Sequence, residues 1–129
     1  MQMRSVSGFT LIELVVVIAI LAILAATAIP KFIDLRSEAV VATGQGIAGA
    51  LSSAAAVNFA ARVAGNAAAT AVTTCTLSAS TLQGGALPPG AVFQTGARAV
   101  TNGATTQCTI DYTSGTITTA VTATIIGAT

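Results

Sequence analysis

Apolar residues fill every position from Phe9 to Ile29 except Thr10, Glu13 and Thr27, so no helical period leaves a polar face. At 1.5 Å per residue these 21 positions would make a helix of about 31 Å, close to the ~30 Å hydrocarbon thickness of a bilayer. The pattern predicts a membrane span. After Pro30 it turns amphipathic. Ile33, Val40, Ile47 and Ala54 recur every seven residues, with Leu51 a turn neighbour, which predicts one buried helix face. The Ala-rich stretch around Ala54-Ala55-Ala56 carries the helix to about Ala64, where Gly65-Asn66 offers a C-terminal cap. Pro30 removes one backbone donor and crowds the preceding turn, so a kink or local melting is expected near Ala26. Gly44, Gly46 and Gly49 leave two readings open: a weak helix, or a smooth surface for close packing of another element.

Residues 65–129 have a different texture. Threonine supplies 17 of these 65 positions, and Gly-Gly, Pro-Pro and Asn-Gly pairs punctuate them. Arg98 to Thr101 reads as a short strand entering a two-residue hairpin turn at Asn102-Gly103. Thr106, Cys108, Ile110 and Tyr112 alternate with polar neighbours, the period of a half-buried strand. Ser114-Gly115 turns the chain again, and Ile117, Thr119, Val121, Ala123 and Ile125 share one face of a last strand. The expected fold class is α+β: a long N-terminal helix (9–64) packed on a small antiparallel sheet of three or four strands that forms a head (65–129).

Arg4 precedes the apolar run, and positive charge ahead of a first span holds that end in the cytoplasm, so the rest of the chain is expected to be exported. A cleaved secretory signal is the plain alternative, with Ala26-Thr27-Ala28 as an A-x-A site. Against it stand the length of the run, the carboxylate near its start and the helical pattern that continues past the cut. Export leads to an oxidising compartment, and the head has few large apolar residues. A Cys75–Cys108 bridge is therefore expected, the alternative being two reduced, buried thiols.

Composition removes most chemistry. The chain has no His and no Trp, and two Cys cannot build a four-Cys metal site. Asp111 is the only Asp or Glu of the head, so a two-carboxylate mechanism has no place there. No phosphate loop, metal-ligand spacing or nucleophile–base pair is visible, and no cofactor is expected. Arg4, Lys31, Arg36, Arg62 and Arg98 oppose Glu13, Asp34, Glu38 and Asp111; a net charge of +1 gives no field to condense on nucleic acid.

Glu13 is the informative residue. A carboxylate inside an apolar run is costly unless it snorkels, is protonated or meets a cation. Were the chain cut after Gly8, the new amino group at Phe9 would lie four residues before Glu13, and a neighbouring copy could present its amine to that carboxylate.

Gly8-Phe9-Thr10-Leu11-Ile12-Glu13, followed by an apolar run ending at Ala28-Ile29-Pro30, resembles the class III signal of type IV pilins and pseudopilins. The stretch Lys31 to Ala39 is most similar to pilins of the mannose-sensitive haemagglutinin type. The resemblance implies that residues 1–8 are a leader removed by a prepilin peptidase after Gly8. It further implies that Phe9 becomes the methylated N-terminus, that 9–29 spans the membrane and later the filament core, and that Glu13 serves assembly. The implied function is structural and not enzymatic. The subunit waits in the inner membrane of a Gram-negative-type bacterium and is drawn by the membrane assembly machinery into a homo-oligomeric helical filament, an extracellular pilus. Adhesion is the implied use, with twitching motility or DNA uptake beside it. A pseudopilin of a type II secretion system shares the same signal and is the alternative. A membrane-anchored module that never polymerises is the third reading.

Overall fold

The structure, a computed structural model, describes residues 8–94 and 98–129, with the side chains of all of these but 32–34. Arg4 thus lies outside the described residues, as do the side chains of Ile33 and Asp34. A first helix, α1, runs from Leu11 to Val63 with Pro30 inside it. The assignment is unbroken, so the local melting expected near Ala26 is absent. An interior proline costs about 3 kcal/mol, and the helical turns on either side of Pro30 absorb that cost without breaking. The last turn closes as the sequence suggests. Gly65 (φ +80°) donates to the Arg62 carbonyl and Asn66 to that of Ala61, the paired bonds of a Schellman cap whose left-handed residue is cheapest as glycine.

The chain divides into two compact units, the residues up to Arg36 and Ser37–Thr129. In the first, the helix exposes apolar side chains all the way round, including Leu11, Ile12, Val16, Ile20, Leu24 and Ile29. It is the one stretch among the described residues long and apolar enough to cross a membrane.

In the second unit, strands β1 (Ala91–Phe93), β2 (Thr105–Ser114) and β3 (Ile117–Ile126) form an antiparallel sheet in the order β1-β2-β3. The alternation read from the sequence holds: Cys108 and Ile110 of β2, and Val121, Ala123 and Ile125 of β3, are buried on the helix-facing side. Ser114 pairs with Ile117 across the tight turn at Gly115. A short helix, α2 (Cys75–Ser78), is capped by Thr74, whose hydroxyl accepts from the Leu77 amide. Leu51 and Ala55 of α1 and Val72 and Cys75 of the connecting segment complete the core.

The buried stripe of α1 departs from the seven-residue spacing. It consists of Val40, Gly44, Ala48, Leu51 and Ala55, while Ile47 and Ala54 are only half-buried. The reason is closeness. A Cβ on Gly44 would lie 3.0 Å from Thr119 Cγ2 and 3.1 Å from Val121 Cγ1, so small residues line the contact and bulkier Ile47 sits at its flank. Of the two readings left open for the glycines, Gly44 takes close packing, whereas Gly46 and Gly49 face open space. Gly46→Ala is therefore expected to stabilise the helix by up to about 1 kcal/mol. Gly44→Ile should cost about 1–3 kcal/mol through overpacking against β3. Urea titration of the full chain in detergent measures both, and equal shifts would contradict the packing assigned to Gly44.

The hairpin expected at Asn102-Gly103 does not form. Ala104 donates to the Thr101 carbonyl, so the turn exists, but the residues before it pair elsewhere. Val100 donates to Thr73 and Cys75 to Arg98, so Arg98–Val100 runs beside the segment that leads into α2. The place on β2 goes instead to β1, in the register Ala91↔Tyr112, Val92↔Asp111, Phe93↔Ile110. The bridge between Cys75 and Cys108 holds the α2 segment over β2, with Cα atoms 5.7 Å apart. Asn58 adds a second tie, its amide accepting from Thr70 N and donating to Thr70 O, both at 2.8 Å.

Candidate functional site

Gly8 and Phe9 precede the helix; nothing lies within 4 Å of where a Gly8 Cβ would be, and Phe9 is 85% exposed. Thr10 is the last residue before α1, and Glu13 lies in its first turn.

These two residues bind each other. The Thr10 amide donates to Glu13 Oε2 at 2.8 Å and the Thr10 hydroxyl to the same oxygen at 2.7 Å. The Glu13 amide donates back to Thr10 Oγ1 at 3.3 Å. This reciprocal Thr-x-x-Glu arrangement is a capping box, which satisfies two amides that helix geometry would leave unpaired. A carboxylate at this position also faces the positive end of the helix dipole. Glu13 thus has a role within its own chain that treating it as an anomaly in an apolar run overlooks, although the threonine three residues earlier was there to be read.

The cap occupies one oxygen. Among the described residues, none donates to Glu13 Oε1. Beside the carboxylate, Phe9, Ile12, Val16 and Val17 line an open apolar cleft of about 320 Å³. An incoming amine would meet a carboxylate with hydrocarbon on one side, where the attraction is strong and the desolvation penalty large.

The other residues singled out from the sequence lie elsewhere. Pro30 is inside α1, outside this cleft. Cys75 and Cys108 are bridged and fully buried in the second unit, a structural staple. Among the described residues no three His, Cys, Asp or Glu side chains gather into a metal-binding group.

Residues 3–29 match the family model described as the prokaryotic N-terminal methylation motif. The chain is also similar to the type IV narrow pilus major component PilA5 of Thermus thermophilus, 50% identical over 50 residues. That match covers 39% of this chain and 43% of the relative, so less than half of the relative's length is represented. No solved structure matches the chain. The methylation motif and the half-identical stretch thus belong to a chain whose described residues form a long N-terminal apolar helix and a small antiparallel sheet, an α+β arrangement consistent with the fold of type IV pilins.

Proposed function

We propose that this chain is the structural subunit of a type IV pilus, built by non-covalent, helical assembly of identical copies. The observation that carries the reading is the helix from Leu11 to Ile29, apolar and exposed on every side, which makes up most of the matched methylation motif. Such a surface is stable only in lipid or against other copies of itself. Residues 1–8 are a leader that a prepilin peptidase removes after Gly8, and Phe9 becomes the methylated N-terminus. Residues 9–29 anchor the subunit in the inner membrane and then form the filament core; the head faces the medium. Glu13 sets axial register by accepting the Phe9 amine of an adjacent copy on the oxygen that its own cap leaves unused. Contacts that repeat head to tail without closing generate an open fibre. The role is structural and not catalytic, and adhesion is the use that such a fibre serves.

Fibres sheared from cells provide the test. Their subunit is expected to begin at methylated Phe9, with residues 1–8 absent. A chain beginning at Ile29 would identify an ordinary secretory signal and end the pilin reading. Correct processing with no fibres, and loss of protein secretion on deletion, would assign the chain to a secretion pseudopilin instead.

A further inference from the structure

Asn102-Gly103 is the one Asn-Gly sequence in the chain. In an unfolded chain the glycine, lacking a side chain, lets its own amide nitrogen approach the carbonyl carbon of the preceding asparagine side chain. Here both reacting groups are engaged by one segment. Gly103 N donates to the Gly127 carbonyl at 2.9 Å, and Asn102 Oδ1 accepts from Thr129 N at 3.2 Å. The segment is itself anchored: Gly127 N donates to Ala104 O at 3.0 Å, and Val72 and Ala128 exchange both backbone bonds at 2.7 and 3.1 Å. Gly127 and Ala128 are buried, whereas Asn102 and Gly103 are exposed to water.

We propose that Asn102 is a latent deamidation site, held closed by residues 127–129 and opened when that segment lifts. Once released, Gly103 N gives its proton to a solvent base and attacks Asn102 Cγ. The new N–Cγ bond closes a succinimide ring; the Cγ–Nδ2 bond breaks, and Nδ2 takes a proton from water and leaves as ammonia. Water then adds to either ring carbonyl and breaks one of its two C–N bonds, giving aspartate or isoaspartate at position 102. In the folded state the first step is blocked, because the Gly103 proton is committed to a buried carbonyl and the Asn102 oxygen is tied down.

The modification would be one-way. From Ser37 onward the side-chain charges are Glu38 and Asp111 against Arg62 and Arg98, so one new carboxylate tips a balanced surface to negative. Isoaspartate also lengthens the backbone by one methylene, which the bond from Ala104 N to Thr101 O cannot accommodate without a shift in the turn. The reaction needs only water and applies whatever the chain assembles into.

The experiment follows the full chain in detergent in mildly alkaline buffer, with peptide mapping by mass spectrometry at position 102. The reduced, denatured chain is expected to convert at least about tenfold faster than the folded one, a ratio equivalent to about 1.4 kcal/mol for opening the segment. Gly127→Ala tests the latch directly, because a Cβ there would clash with the Thr101 backbone carbonyl. This variant should exchange its Gly103 amide faster and deamidate faster, with the disulfide intact. Equal conversion of folded and denatured wild type would overturn the proposal, as would faster Gly103 exchange in Gly127→Ala with no gain in deamidation. Should Gly127→Ala fail to fold, the comparison in the unaltered chain decides alone.

Discussion

Cells making only the Glu13→Ala chain are expected to carry few fibres, while the head folds and closes its disulfide as before. Glu13 lies in the first turn of α1, in the unit ending at Arg36, whereas the bridge and the sheet belong to the unit beginning at Ser37. Alanine removes two things at once. It abolishes the bonds to Thr10, which costs about 0.5–2 kcal/mol of capping and frays the first turn. It also removes the proposed acceptor for a neighbour's amine. Glu13→Gln separates the two, because glutamine serves in a capping box yet carries no charge. Fibre counts by electron microscopy, with helicity and disulfide state as controls, decide between them. Scarce fibres with both variants identify the charge as the assembly determinant; scarce fibres with alanine alone identify the cap. Normal fibres with both would remove Glu13 from assembly altogether.

Replacing both cysteines, Cys75→Ala with Cys108→Ala, is expected to destabilise the head by about 3–4 kcal/mol. The bridge closes a separation of 33 residues, and the chain-entropy account assigns that loop a stabilisation of this size. For a head this small the loss is a large share of the whole, since domains are stable by only about 5–15 kcal/mol. Besides the two cysteines and Ser78, the largest fully buried side chains are Leu51, Ile110, Ile125 and Val72, which is a thin apolar core. Tyr112 is the only Tyr and there is no Trp, so its fluorescence reports on the sheet alone during urea unfolding. The midpoint should fall sharply while far-ultraviolet helicity from the apolar segment persists. An unchanged midpoint would mean that sheet pairing and the Asn58 clamp suffice without the bridge.

Local pattern carried much of this chain. The apolar run, the amphipathic continuation, the Gly65 cap and the period-2 faces of β2 and β3 follow from side-chain spacing within single elements. Burial on one face is a property of neighbours in sequence, and hydrophobic order records it directly. The Thr10–Glu13 cap was equally available, as two residues at the capping-box spacing.

Other features depended on partners distant in the chain. β1 is three residues long behind Pro88-Pro89-Gly90 and shows no period; it becomes a strand because β2 offers it an edge. Arg98–Val100 has a strand's composition, yet its bonds go to the α2 segment, which the disulfide holds above β2. The helix face rotates from Ile47 and Ala54 toward Gly44, Ala48 and Ala55, because β3 approaches too closely for larger side chains. Each of these outcomes is a competition among backbone donors and acceptors, or among volumes, from segments tens of residues apart. Spacing within one segment carries no record of which competitor wins, so these pairings were settled only when the chain closed on itself.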